Sequence, residues 1–364
     1  MPICAFGVYN KDMRLLLLFV VVAVAFQHAM FNIALLTKVN SAIGAGIVTV
    51  FVGYWLAQKI QRLVFGRLLE PHGKAVFITG CDHGFGHMLA KRLANQGFEV
   101  FAGCLNEKSE GAVALKSLQN IHLVQVDVTK PDQVDEAVHV VEKNLQDRVL
   151  WSVVANAGVF PVGATEWETW SNIHWAFNVN VFGAMDVSRK FLPLLRSSRG
   201  RLVIVASGFS RMTIPGAVPY CMTKHAVQSL ADGLRRELQD KGVHVAAIQP
   251  VAYRTSLLNT QKMLSGVDNT VQQMDKELRD VYDDNELSKF KTSIVNVLGK
   301  YARSNLDEVV DQMELAIRDS HPMPLYKTGG FFDNLQLLLA QIVPTEWTDL
   351  FVWFNQKLME KGPK

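Results

Sequence analysis

The 364-residue chain lacks several features that would narrow its class at once. Its four cysteines, Cys4, Cys81, Cys104 and Cys221, follow no framework spacing, and no Asn-x-Ser/Thr acceptor occurs anywhere. Neither a disulfide scaffold nor a glycosylated ectodomain is therefore indicated, and a reducing compartment suits the chain. Thirty-seven basic residues stand against 34 acidic ones, a net charge of +3 without a basic tract, which argues against a nucleic-acid partner. Repeats and low-complexity tracts are missing as well. His83 and His87 lie four apart beside Cys81, but no further ligand follows at a metal-binding spacing, so no metal site is expected.

Apolar residues are in surplus, at 49%, and the surplus is local. Residues 15–36 (LLLLFVVVAVAFQHAMFNIALL) are long enough to span a bilayer, and residues 41–57 form a shorter run after the link 37–40. The pair predicts N-terminal membrane helices over 1–70, with one or two transmembrane segments. A cleaved signal peptide is the alternative for the first run, opposed by its length and the absence of a small-residue cleavage site. A re-entrant or interfacial placement is the alternative for the second, which holds Gly44, Gly46 and Gly53. Lys11 and Arg14 before the first run, and Lys59, Arg62 and Arg67 after the second, place both ends on the cytosolic side. An endoplasmic reticulum membrane is expected. The alternative, a mitochondrial one, would call for an Arg-rich leader that residues 1–40 do not provide.

From about residue 71 short apolar runs alternate with amphipathic stretches. Residues 75–79, 98–103, 122–128, 150–158, 201–207 and 243–250 read as strands. Residues 88–97 read as a helix closed by Gly97, and 131–145 as a helix capped by Thr129 with Pro131 in its first turn. This alternation predicts an α/β fold, a doubly wound parallel sheet, over 71–330. Residues 255–298 turn polar and mixed after the sixth strand, where such sheets carry substrate loops. The apolar, aromatic segment 331–364 fits core, substrate entrance or membrane surface.

Two stretches carry chemistry. ITGCDHGFG (78–86) puts glycines between a strand and a helix, a context in which backbone can approach a pyrophosphate and a helix N-terminus can hold it. Tyr220 and Lys224, four apart on a predicted helix, share one face. The ammonium beside the phenol would favour phenolate, letting Tyr220 exchange a proton with a substrate oxygen. Ser207, at the carboxyl end of a predicted strand, could hydrogen-bond that oxygen.

The glycine loop, Asn156-Ala157-Gly158, Ser207 and Tyr220/Lys224 together resemble the short-chain dehydrogenases/reductases over about residues 74–330. TGCDHGFG, FEVFAGCL, SRMTIPGAVPYCMTK and LYKTGG look like the branch holding retinol dehydrogenases, 17β-hydroxysteroid dehydrogenase type 2 and D-β-hydroxybutyrate dehydrogenase. The resemblance implies a Rossmann-type sheet and a tetrad. In it Asn180 holds a relay water, Ser207 polarises the substrate oxygen, Tyr220 is the acid/base, and Lys224 lowers the tyrosine pKa and binds the nicotinamide ribose. It implies a cofactor site of Thr79, Gly80, Asp82, His83, Gly84, Gly86, Asp127, Asn156, Ala157, Gly158, Tyr220, Lys224, Pro250 and Thr255, with Asp127 against the adenine. It also implies pairing of two copies through the helices carrying Asn180 and Tyr220.

There are two departures from the family pattern: Ala155 replaces its first asparagine, and Val251 replaces a glycine that lets backbone pass close to the nicotinamide. The expected activity is hydride transfer between a nicotinamide cofactor and a lipophilic alcohol or ketone of steroid or retinoid type. Alternatives are a D-3-hydroxybutyrate-type dehydrogenase and a catalytically silent ligand-binding or scaffold protein. NAD is favoured over NADP, because Asp82 would repel a 2′-phosphate and no basic residue follows the second strand.

Overall fold

The computed structural model describes residues 21–22, 24–29 and 34–360. It divides into two compact units at Arg67/Leu68. In the first unit, α1 (Ala34–Phe65) is a single helix. It swallows residues 37–40, expected to link two membrane segments: Thr-Lys-Val-Asn contains no glycine or proline to stop it. Residues 15–20, 23 and 30–33 of the first apolar run lie outside the described residues. Among the described residues no helix is long and apolar enough to cross a membrane.

The second unit is built on one seven-stranded sheet of β1 (Lys74–Thr79), β2 (Glu99–Cys104), β3 (Ile121–Gln125), β4 (Val149–Ala155), β5 (Arg201–Val205), β6 (His244–Gln249) and β7 (Leu325–Lys327). Their spatial order is β3-β2-β1-β4-β5-β6-β7 and every pairing is parallel. Strand alternation divides the core in two. Phe77, Val153, Leu202, Ile204 and Val245 face α4 (Pro131–Asn144), α6 (Ala184–Ser198) and α7 (Val218–Glu237). Val76, Ile78, Val154, Val203 and Ile248 face α2 (Gly84–Asn95), α3 (Glu110–Lys116) and α11 (Asp307–Arg318). Both faces of a parallel sheet must be covered, which is why these strands read as continuous apolar runs. Phe77 stacks on Phe191 of α6 with centroids 4.5 Å apart.

Three features differ from the sequence reading. The cap of α4 is Lys130, not Thr129, whose hydroxyl and N–H are instead taken by Asp127. β7 was not anticipated, because three residues are too few for an alternation signal. The polar stretch after residue 255 is mostly helical: α8 (Thr260–Gln272), α9 (Lys276–Val281) and α10 (Asp284–Tyr301). Their N-caps Asn259, Asp275 and Asp283 each accept from the N–H three residues on, a signal present in the sequence. Together with Trp167, these helices form a third cluster beside the sheet around Val267, Leu287 and Ile294. The chain ends in α12 (Phe331–Ile342) and α13 (Thr345–Met359), of which only Met359 is buried. The remaining helix, α5 (Trp170–Phe177), leads into a π-turn at Asn178–Gly183.

Candidate active site

The carboxyl ends of β1, β4, β5 and β6 converge where the strand order reverses, between β1 and β4, and a cavity of about 360 Å³ opens above them. β1 and β4 are stitched at its floor. The Thr79 hydroxyl accepts from the N–H of Asn156 and of Ala157, both at 3.0 Å, and the Asn156 amide donates to the Thr79 carbonyl at 2.8 Å. Gly80 and Gly86 meet so closely that a Cβ on Gly86 would lie 2.4 Å from the Gly80 carbonyl oxygen. Only glycine lets α2 start this near the strand. The cap residue His83 gives the helix no side-chain acceptor, so side chains leave its first-turn N–H groups free on the cavity side, beside Gly80 and Gly84. Uncapped N–H groups at a dipole's positive end form a cradle for phosphate, so the residues present fit a dinucleotide's pyrophosphate.

Tyr220, Ser207 and Lys224 meet in the same cavity, all nearly buried. The Ser207 Oγ accepts from the Phe209 N–H at 3.1 Å, and its side chain stands beside the Tyr220 phenol, whose pKa it acts to lower. Lys224 Nζ donates to the Val205 carbonyl at 3.0 Å and stands 5.7 Å from the Tyr220 ring centre. Burial lowers the Lys224 ammonium to about 8. Burial also raises the Tyr220 phenol, with Ser207 opposing. The expected depression of the phenol is thus outweighed by desolvation in the protein alone, leaving Tyr220 a protonated donor at neutral pH.

Not every expected residue reaches the cavity. Among the expected residues it is lined by Gly80, His83, Gly84, Asn156, Ala157 and Gly158, and across from them by Ser207, Tyr220, Lys224, Pro250 and Thr255. Thr79, Asp82, Gly86, Asp127 and Asn180 lie behind that lining. Asn180, in the π-turn, clamps Val159 by accepting from its N–H at 2.8 Å and donating to its carbonyl at 2.9 Å, and it donates to the Thr223 hydroxyl at 3.0 Å. Its two amide N–H groups are thus given to protein acceptors, while Oδ1 accepts one bond of the two it can take. Asp127 is likewise held by Thr129. Asp82 turns away from the cavity to the loop after β2, accepting from the N–H groups of Leu105 at 2.9 Å and Asn106 at 3.0 Å and from the Ser109 hydroxyl at 3.3 Å. Burial lowers the pKa of His83, with Asp82 opposing and Lys262 reinforcing.

The Val251 side chain packs at Gly329 in the turn before α12, where an added Cβ would lie 2.9 Å from its Cγ2. With φ +93°, Gly329 leaves the space that the extra methyls occupy.

The walls are aromatic and apolar, and part of them comes from segment 331–364, for which a substrate entrance was one of the expected places. Phe160 lies 4.1 Å and Phe209 6.3 Å from the Tyr220 ring, centre to centre. Phe290 of α10, Leu337 of α12 and Phe351 and Val352 of α13 close the cavity from above. No spacing links Phe160, Phe209 and Phe290 to a site: they come from separate segments between residues 160 and 290.

Known proteins share this architecture. A sequence model of short chain dehydrogenases matches residues 74–263. Mouse retinol dehydrogenase 7 is 34% identical over 309 residues, covering 84% of this chain and 95% of that protein. Rat retinol dehydrogenase 16 is 35% identical, over 84% and 96%. Rat 17-beta-hydroxysteroid dehydrogenase type 6 is 32% identical, over 84% and 94%. Among solved structures, a Burkholderia phymatum short chain dehydrogenase/reductase in complex with NAD superposes with a TM-score of 0.62 at 20% identity, over 78% of this chain and 97% of that one. A Burkholderia cenocepacia short chain dehydrogenase in complex with NADP gives 0.55 at 19%, over 74% and 98%. These two likenesses concern the fold.

Proposed function

This chain belongs to the short-chain dehydrogenase family, and on that premise we propose that it is an oxidoreductase interconverting a lipophilic alcohol and its carbonyl compound with a nicotinamide cofactor. The observation that carries the reading is the buried cluster of Tyr220 and Ser207 in one cavity, with the Lys224 ammonium beside the Tyr220 ring. The cofactor, held by the first turn of α2, Asn156–Gly158 and Lys224, would accept or supply the hydride. In oxidation Tyr220 takes the hydroxyl proton as hydride leaves the substrate carbon; in reduction the neutral phenol returns it to the oxygen. Ser207 Oγ donates to that oxygen and fixes its distance from the phenol. Lys224 supplies the positive charge that favours phenolate once substrate is in place.

A lipophilic substrate is supported by the cavity walls, Phe160, Phe209, Phe290, Leu337, Phe351 and Val352, and by relatives named for retinol and a hydroxysteroid. A small hydroxy acid would need a cation for its carboxylate, and the lining holds no arginine and only the committed Lys224. The preference for NAD rests on Asp82, whose charge occupies the N–H groups just past β2, the region where a 2′-phosphate would need donors. The reading includes attachment to a membrane, proposed as endoplasmic reticulum with the catalytic unit in the cytosol. Supporting it are the apolar run 15–36 and the exposed Ile43, Val50 and Phe51 of α1 and, separately, Phe331, Phe332 and Ile342 of α12. Flotation of the full chain with vesicles checks it; a chain left at the bottom of the gradient sinks it.

The central test is a panel of retinol, 17β-hydroxysteroids and 3-hydroxybutyrate with NAD and NADP in turn, using wild type and Tyr220→Phe. Turnover of a lipophilic alcohol should fall by at least about 100-fold in Tyr220→Phe, with cofactor still bound. Undiminished turnover would remove Tyr220 from the reaction.

A further inference from the structure

β6 ends on an uneconomical residue. Gln249 follows Ala246, Ala247 and Ile248, is 2% exposed, and occupies a place that a leucine would fill without burying an amide. Its side-chain hydrogen bonds lead to two other elements. Nε2 donates to the Ser210 hydroxyl at 3.0 Å and to the Gln228 carbonyl oxygen Oε1 at 2.8 Å. The Ser210 hydroxyl in turn donates to the Ser207 main-chain carbonyl, which also accepts the Ser210 N–H at 3.0 Å. Gln228 belongs to α7 and continues the face of Tyr220 and Lys224 at steps of four residues, and its own amide donates to Asp232 at 3.3 Å. Gln228 and Ser210 are buried too, at 6% and 4% exposure.

We propose that Gln249 is a positioning residue: its amide locks the turn that carries Ser207 to the helix that carries Tyr220 and Lys224, holding the Ser207 hydroxyl in register with the phenol. This inference rests on the functional reading above. Ser207 stands on a short 3-10 turn, Gly208–Ser210, beyond the end of β5. Neighbouring backbone bonds, Ala206 N–H to the Ile248 carbonyl and Gly208 N–H to the Pro250 carbonyl, both 2.8 Å, tie that turn to β6. They do not tie it to α7. The Ser210–Gln249–Gln228 chain makes that connection, on the side away from the cavity. Without the chain the turn and the helix can drift against each other, and a misplacement of the order of an ångström is costly in a proton transfer. Neither Gln249 nor Gln228 lines the cavity, so substrate and cofactor contacts stay intact.

The test uses the full-length protein, NAD and whichever of retinol or the 17β-hydroxysteroids the wild type oxidises, with Gln249→Leu, Ser210→Ala and the double variant. The expected result for Gln249→Leu is a kcat about tenfold lower with a KM for NAD within about twofold of wild type. The ascending, low-pH limb of its pH–kcat profile should move to higher pH, because Tyr220 acts as the base in oxidation and loses the Ser207 interaction that lowers its pKa. Ser210→Ala should reproduce both effects and the double variant should be no worse than either, as expected for one coupled chain. Should Gln249→Leu not fold, Ser210→Ala alone carries the same two readouts. Unaltered kcat, an unmoved pH limb, or losses that add in the double variant would overturn the inference while wild-type turnover leaves the functional reading standing. A wild type that oxidises no member of the panel would overturn both.

Discussion

Lys224→Met separates what Lys224 does for stability from what it does for chemistry. The ammonium is 4% exposed, and burial lowers it from 10.5 to about 8. Because the folded state binds this proton more weakly than the unfolded state, the charge destabilises the fold below pH 8, and the penalty is relieved as pH rises from 8 to 10.5. That lowering corresponds to roughly 3 kcal/mol, most of it recovered by pH 10. Methionine fills similar space without the charge. The substitution also loses the bond to the Val205 carbonyl, but that loss is a constant offset with little pH dependence. The stability difference, wild type minus Lys224→Met, should therefore rise by about 2–3 kcal/mol between pH 7 and pH 10. Urea unfolding of both proteins at pH 7, 8, 9 and 10 measures it. Tyr220 does not confuse the comparison, because burial keeps its phenol protonated over this range and it is present in both proteins. Curves that stay parallel across the range would refute the argument that a lone buried cation is held at a cost beside Tyr220. In the same preparation Lys224→Met should lack hydride transfer, so that a site which strains the fold is retained for its chemistry.

Two further substitutions test other parts of the site. Asp82→Ala frees the N–H groups of Leu105 and Asn106 and removes a carboxylate, so the ratio of kcat/KM for NAD over NADP should fall at least about tenfold, some 1.4 kcal/mol; an unchanged ratio in steady-state assays would remove Asp82 from cofactor choice. Gly329→Ala places a Cβ 2.9 Å from Val251 Cγ2 at φ +93° and should cost about 2–3 kcal/mol in urea unfolding. Part of that loss should return when Val251→Ala is added, and no return would show that the two positions are not matched.

Much of the site was legible because it is made of local patterns. The glycine loop sits between a strand and a helix, and Tyr220 and Lys224 sit one helical turn apart, so neighbouring residues suffice to place them. The direction in which side chains point was less legible. Asp82, inside the loop, was expected beside the cofactor's 2′ position, and the structure shows its carboxylate accepting from backbone N–H groups 23 and 24 residues away. Asn180 was expected through the resemblance alone, and its clamp on Val159 could not be read from neighbouring residues. The helices after residue 255 were hidden by their polarity, although Asn259, Asp275 and Asp283 marked their starts.

The sequence by itself determined the alternation of strands and helices, the parallel sheet that follows from it, and the presence of a phenol and an ammonium on one helical face. Periodicity and capping are set by residues within a turn or two of one another. Only the tertiary structure decided that burial raises Tyr220 and lowers Lys224, that phenylalanines from distant segments wall the cavity, and that Gln249 joins β6 to the turn at Ser207 and to α7. Desolvation and shape depend on what the rest of the chain brings alongside, and no stretch of sequence carries that alone.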